Sequence, residues 1–152
     1  AVLGKPVGKF PVSSRSFLLW WCLANLQSVF LRFPFLEELL RMVPTLYSNW
    51  LRLWGSRIGK NVYWAPGTRV VDRGYLDLGD QVVVGLCARL NPHHIFEQEL
   101  TVAPIAVGDR AQLGGYSLLA AGCVVGPGEC TLATMVMRPF WRFFEGKVWR
   151  NS

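Results

Sequence analysis

The sequence has little charge and very little histidine. Charged residues occupy 17% of its 152 positions and hydrophobic residues occupy 51%, which is an apolar composition for a globular domain. Its 2 histidines are adjacent, at His93 and His94. A metal site that takes three histidines from separate turns of the chain is therefore excluded, and we expect no metal cofactor.

Cysteine is also scarce. The 4 cysteines stand at Cys22, Cys87, Cys123 and Cys130, and no two of them form a Cys-x-x-Cys pair. Their spacing matches neither a typical zinc site nor a disulfide framework. We interpret them as reduced thiols of a cytoplasmic protein.

The sequence lacks a dense basic run and a nucleic-acid-binding motif, although its formal net charge is +6. Nucleic acid is therefore not an expected partner. The basic residues lie mainly near the two ends of the chain, where they suit lipid headgroups or cofactor phosphates. They are Lys5, Lys9, Arg15, Arg138, Arg142, Lys147 and Arg150.

Long apolar runs are missing as well. Residues 17–31 form an apolar stretch that would span roughly 22 Å as a helix, against a hydrocarbon core of about 30 Å. Residues 36–43 and 47–54 carry apolar side chains at helical spacing. We therefore predict two or three short apolar or amphipathic helices in the region 1–55. Helices rich in tryptophan and arginine favour a membrane surface, although they can also cap the end of a domain, and one segment can do both.

From residue 58 onward the hydrophobic pattern repeats every six residues, with a slip of two residues between Val70 and Leu78. Each apolar residue points inward from one flat side of a triangular prism, and a small residue beside it would permit the turn. The pattern predicts a parallel β-helix over 56–136. The repeat stops at 96–106, which we expect to leave the prism as a loop. The clearest steps are Val107, Leu113, Leu119 and Val125.

Three segments resemble a known family. The pattern of an aliphatic residue, then Gly, Ala or Asp, then a small residue three positions later runs over roughly 58–130. The run APIAVGDRAQLGGYSLLAAGCVVGPGE (103–129) and the tail PFWRFFEGKVWR (139–150) also resemble the bacterial hexapeptide-repeat acyltransferases, which include galactoside, maltose and colanic-acid acetyltransferases. The tail lacks the family's Asn-Pro-Ala piece. The segment 47–67 resembles a membrane-associated branch in which apolar helices precede the β-helix.

The resemblance implies a left-handed β-helix that forms a homotrimer, with active sites in the clefts between neighbouring prisms. It implies acetyl-CoA or another acyl thioester as the donor, and a hydroxyl or amine of a glycan, lipid or small metabolite as the acceptor. We expect the protein in the cytoplasm, attached peripherally to the inner face of the membrane. An enzyme that depends on an acyl carrier protein, and a non-catalytic trimeric scaffold at a membrane, are the alternatives.

The family's general base is a histidine that precedes a loop, and this implies His93 here, with His94 as the alternative. Histidine is suited to this work because it exchanges its proton near neutral pH. In the phase of the repeat, His94 points into the prism and His93 points out. Asn91, Glu97 and Glu99 are candidates for orienting the histidine or binding the acceptor.

The donor is expected on the coils that follow and on the tail 137–152. The pair Gly114–Gly115 would let a pantetheine arm approach the backbone, although a turn alone could also require glycine. Arginine and lysine of the tail could bind the cofactor's phosphates, or lipid headgroups instead. The full set of candidates is Gly114, Gly115, Tyr116, Ala121, Gly122, Arg138, Lys147 and Arg150.

Overall fold

The computed structural model describes residues 5–43 and 45–150. In this part of the chain three helices precede the first coil, in the region where the sequence predicts helices. No helix among the described residues is long and apolar enough to cross a membrane. The helices are α1 (Arg15–Arg32), α2 (Phe35–Arg41) and α3 (Leu46–Leu53).

Short strands make up most of the remaining chain. A first strand, β1, covers Gly8–Pro11 and lies before α1. The strands that follow α3 are β2 (Arg57–Ile58), β3 (Tyr63–Trp64), β4 (Arg69–Val70), β5 (Leu76–Leu78), β6 (Val83–Val84), β7 (Arg89–Leu90), β8 (His93–Phe96), β9 (Glu99–Val102), β10 (Ile105–Val107), β11 (Gln112–Leu113), β12 (Leu118–Leu119), β13 (Val124–Val125), β14 (Val136–Met137), β15 (Arg142–Phe144) and β16 (Lys147–Trp149).

Three parallel sheets form the sides of a prism. The first contains β2, β5, β10, β13 and β15, the second β3, β6 and β11, and the third β4, β7, β12 and β14. The strands of one side are separated in sequence by the strands of the other two sides, which is the connectivity of a β-helix. Parallel pairing continues through β15, so the prism extends to Phe144, beyond the predicted end at residue 136. Strand β16 then turns back and pairs antiparallel with β15.

The six-residue pattern places the core as predicted. The apolar residue of each step is buried inside the prism, and the core continues past the predicted boundary with Met137 and Phe143. The role of the glycine beside it is different from the prediction. A Cβ at Gly59 would overlap the backbone of Gly79 on the next coil, so glycine here lets coils stack closely. The turn itself falls two positions later, where Asn61 has a φ of 55°.

The predicted loop at 96–106 is instead a β-hairpin. Strands β8 and β9 pair antiparallel around Glu97 and Gln98, which both have positive φ, and β1 adds to the other edge of β9. The chain leaves the prism at His93, where β8 pairs with β9 and not with a strand of a neighbouring coil. Leu100 and Val102 are buried in a second core cluster with Trp20 of α1. The hairpin thereby packs against α1.

Candidate functional site

The two histidines lie at the base of the hairpin, and His93 has a carboxylate partner. The Nδ1 atom of His93 forms a hydrogen bond with Oδ2 of Asp72. Asp72 lies in the corner between β4 and β5 and is only 1% exposed, whereas the His93 side chain keeps 20% of its surface exposed. Because Asp72 occupies Nδ1, Nε2 is the ring nitrogen left for a substrate.

Trp20 of α1 completes this arrangement. Its indole Nε1–H donates a 3.2 Å hydrogen bond to Oδ1 of Asp72, so both carboxylate oxygens have a partner. The Trp20 ring also meets the His93 ring edge-on, with ring centroids 4.7 Å apart. Three distant parts of the chain therefore hold one imidazole: the first helix, a corner of the prism and the hairpin.

Asp72 and Trp20 were not among the residues predicted from sequence. Both are distant from His93 along the chain, and the contacts that join them depend on the hairpin. One signal for Asp72 was present: it lies where the repeat slips by two residues between Val70 and Leu78. A break in a structural repeat that also contains an acidic residue marks a segment with another role.

His94 is placed differently from the prediction. It does not point into the prism, because β8 has already left the coil and its side chains alternate between the two faces of the hairpin. Burial lowers the pKa of His94, and the charges of His93 and Lys9 lower it further. Among the described residues its buried Nδ1 atom has no hydrogen-bond partner. These conditions favour a neutral imidazole.

The other predicted contacts around the histidine lie apart from it. Glu97 is in the exposed turn of the hairpin, and Glu99 pairs with Pro11 of β1, so neither orients His93. Asp72 takes that place. Asn91 is half-buried at the end of β7, and its Oδ1 atom is buried without a partner in the described part of the chain.

The predicted donor residues divide into packing residues and exposed residues. A Cβ at Gly114 would overlap the backbone of Leu132, and one at Gly122 would overlap the Phe140 ring. Ala121 is fully buried. Gly115 is less tightly packed, since a Cβ there would have its nearest neighbour at 3.3 Å. Tyr116 and Lys147 are exposed. The Arg138 and Arg150 guanidinium groups lie over the Trp141 ring, at 5.8 and 5.1 Å from its centroid.

The cysteines do not form a nucleophilic or metal-binding cluster. All four are free thiols. Burial raises the pKa of the Cys123 thiol to about 11, so it is protonated at neutral pH. Within residues 5–43 and 45–150, no group of three or more His, Cys, Asp or Glu side chains has an arrangement that would hold a metal ion.

Comparison with known proteins identifies the fold. Neither a protein-family model nor a curated protein matches the sequence. Among solved structures, a hexapeptide-repeat-containing acetyltransferase of Vibrio cholerae matches at 12% identity with a TM-score of 0.52, over 83% of this chain and 92% of that chain. A maltose O-acetyltransferase of Clostridium difficile 630 matches at 13% identity with a TM-score of 0.50, over 89% of this chain and 87% of that chain. The architecture is thus the left-handed parallel β-helix expected from the sequence.

Proposed function

We propose that this protein is an acyltransferase that moves an acetyl or similar acyl group from a thioester to a hydroxyl or amine, with His93 as the general base. The observation that carries the proposal is the Asp72–His93 pair, a partly exposed imidazole hydrogen-bonded to a buried carboxylate. The likeness in fold to two acetyltransferases supports the choice of reaction.

The geometry around His93 supports the following course for the proposed transfer. Asp72 accepts a hydrogen bond from Nδ1–H, which leaves the lone pair of Nε2 free to take the proton of the acceptor O–H or N–H. As this proton moves to Nε2, the acceptor oxygen or nitrogen forms a bond with the thioester carbonyl carbon. The C–S bond then breaks, the sulfur leaves as a thiolate, and the imidazolium returns the proton to it. Backbone N–H groups of a coil are suited to stabilise the tetrahedral oxyanion between these steps.

The acyl donor is proposed to be acetyl-CoA, with an acyl carrier protein as the alternative source of the thioester. Both donors carry phosphate and a pantetheine arm, which suits the basic tail containing Lys147 and Arg150. The measurement that separates them is the rate of acyl transfer with acetyl-CoA and with an acetylated carrier protein at equal thioester concentration.

The active protein is proposed to be a homotrimer. Strand β8 begins at His93 and ends with Ile95 and Phe96, which are both exposed, Phe96 with 66% of its surface. A neighbouring prism would bury these side chains and provide a second wall for the cleft. Light scattering should give the mass of three chains, and a stable monomer that retains acyl transfer would contradict this assembly.

Attachment to the inner face of a membrane is proposed for the helices. Large apolar side chains are exposed on all three helices and on the segments that join them, and exposed apolar helix faces are typical of helices that lie at a membrane surface. They are Leu18, Trp21, Leu26, Val29, Phe33, Phe35, Leu39, Met42, Val43, Leu46 and Leu53. In a liposome flotation assay the protein should float with the vesicles. Replacing Leu39, Met42 and Leu53 with serine should return it to the soluble fraction, and unchanged flotation would contradict this role.

Release of free CoA thiol tests the reaction itself. Purified protein is mixed with acetyl-CoA and, in separate reactions, with a glycoside, an amino sugar and a lysolipid. We expect one class of acceptor to stimulate thiol release, and His93→Ala to abolish the stimulation. If the wild-type protein neither binds coenzyme A at millimolar concentration nor stimulates release with any class, the non-catalytic scaffold is the better account.

A further inference from the structure

A large cleft lies between the helices and the third sheet of the prism. Its volume is about 920 Å³, which is within the usual range for small-molecule sites. The end of α1 and the start of α2 provide one wall, with Phe30, Leu31 and Phe35. The outward face of β4, β7, β12 and β14 provides the other. His93 does not line this cleft, so it is a separate feature from the Asp72–His93 pair.

The sheet wall of the cleft carries two adjacent positive charges. Arg69 and Arg89 are direct neighbours on β4 and β7, and Leu118 and Val136 continue the same row on β12 and β14. Like charges in neighbouring positions of a sheet repel each other. Among the described residues neither arginine has a carboxylate within ion-pair distance, and neither side chain donates a hydrogen bond.

The carboxylates of the cleft do not compensate these charges, because they are already paired. Glu37 accepts a 2.6 Å hydrogen bond from Nε of Arg73, which is fully buried. Glu38 is 2.5 Å from Nη1 of Arg41. The two carboxylates therefore neutralise Arg41 and Arg73, and the row formed by Arg69 and Arg89 leaves the cleft with an excess of positive charge beside an apolar wall.

The cleft and the His93 site share two elements. Helix α1 contacts the Asp72–His93 pair through Trp20 and lines the cleft through Phe30, ten residues further, which is about 15 Å along a helix. Strand β7, which contains Arg89, ends shortly before His93. The two places are therefore joined through α1 and through the chain that runs from β7 to His93.

We infer that the cleft binds the acceptor, and that the acceptor is an anionic amphiphile. Its carboxylate or phosphate lies on Arg69 and Arg89, and its apolar body lies against Phe30, Leu31 and Phe35. The identification of this ligand as the acceptor rests on the proposed acyltransferase function. The binding of an anionic amphiphile rests only on the charges and the apolar wall of the cleft.

Calorimetric titration of the full chain with decanoate, below its micellar concentration, tests the binding. We expect decanoate to bind, and decyl glucoside, which has the same tail without the charge, to bind at least about tenfold more weakly, as expected for loss of a charged hydrogen-bonded contact. The double variant R69Q/R89Q should weaken decanoate binding by a similar factor. Val136→Ser, at an exposed position of the same row, should weaken both ligands equally.

The matched control is R57Q/R110Q, which removes two exposed arginines outside the cleft and should leave the affinity unchanged. Equal affinity of the wild type and R69Q/R89Q for decanoate would overturn the anion site. An absence of decanoate binding to the wild type would also overturn it. So would dissociation of the oligomer by R69Q/R89Q, because that result would identify the row as a subunit contact. The affinities of decyl phosphate and decanoate distinguish a phosphate from a carboxylate headgroup. Tighter binding of decyl phosphate would indicate a phospholipid-like acceptor.

The two proposals fail in different ways. Decanoate binding without acyl transfer to any amphiphilic acceptor would overturn the assignment of the acceptor and leave the anion site intact. Acyl transfer to a neutral glycoside at the same rate in the wild type and R69Q/R89Q would overturn the assignment while supporting the proposed reaction.

Discussion

The regular coils and the two interruptions of the repeat differ in what they bury. In the coils, apolar side chains such as Val84 and Leu119 fill the inside of the prism at every sixth position. At the interruptions, the buried residues include Asp72 and Arg73 in the corner after β4, and the hairpin that follows β7 holds both histidines. The coil thus provides stability, and the departures from it hold the ionisable groups together. A substitution in a coil should reduce stability first, and one at an interruption should reduce activity first.

Replacing the histidine of the pair should have the largest effect on rate. We expect His93→Ala to reduce acyl transfer by about 10²–10⁴-fold, the usual contribution of a general base. Donor affinity should be unchanged, because the imidazole acts on the acceptor's proton. Steady-state kinetics and a donor-binding titration measure the two quantities. Full activity in His93→Ala would show that the chemistry lies elsewhere in the molecule.

Asp72→Asn should have the second-largest effect and reduce the rate of acyl transfer by about 10²–10³-fold. The amide can donate to Nδ1 and favour the tautomer whose Nε2 carries the proton, which cannot act as a base. The control is Asp77→Asn on the exposed face of β5, which should retain wild-type rates. If the two variants have the same activity, Asp72 has only a structural role.

The coil side of the comparison is tested by Leu119→Ala. Leu119 is fully buried in the prism, so the truncation should reduce the free energy of unfolding by about 2–5 kcal/mol. Leu118→Ala, one residue away on the outward face, should cost much less. Thermal or denaturant unfolding measures both. Near-native activity per folded molecule is expected in Leu119→Ala, and loss of rate without loss of stability in that variant would contradict the division of roles.

Trp20→Phe should reduce the rate by about tenfold, the effect of removing one hydrogen bond to a charged group. The aromatic ring beside His93 is retained, whereas the donor to Asp72 is lost. Trp21→Phe, at the neighbouring exposed position, is the control and should be silent. An altered pH dependence of kcat/KM in Trp20→Phe alone would separate positioning of the pair from simple packing, and an unchanged rate and profile would assign Trp20 to packing.

The smallest expected effect concerns His94 and pH. Burial lowers the pKa of His94 in the folded protein from its ordinary value of 6.5, so the unfolded chain binds a proton more readily than the folded one does. The folded state therefore loses stability as the pH falls below 6.5. Compared with His94→Gln, the wild type should show a larger fall in unfolding midpoint between neutral and mildly acidic pH. Parallel pH profiles of the two proteins would mean that folding does not lower the pKa of His94.

The sequence predicted the coils well, because a β-helix buries one apolar residue at every sixth position and the printed pattern repeats that interval. The family resemblance and the phase of the repeat favoured His93 as the general base, and that role stays a prediction. The sequence did not predict the hairpin, because the end of the six-residue period was interpreted as a loop, although Leu100 and Val102 follow the two-residue spacing of a strand. Asp72 and Trp20 precede His93 by 21 and 73 residues in sequence. The packing of α1, the corner after β4 and the hairpin brings the three residues together.

A double-mutant cycle on Asp72 and His93 tests most directly whether the two residues act as one catalytic unit. The acyl-transfer rate is measured for the wild type, Asp72→Asn, His93→Ala and the double variant, with the same oligomeric state confirmed for each. If Asp72 acts only through His93, the double variant should lose no more activity than His93→Ala alone, because the partner has nothing left to orient. Losses that multiply in the double variant would contradict the account.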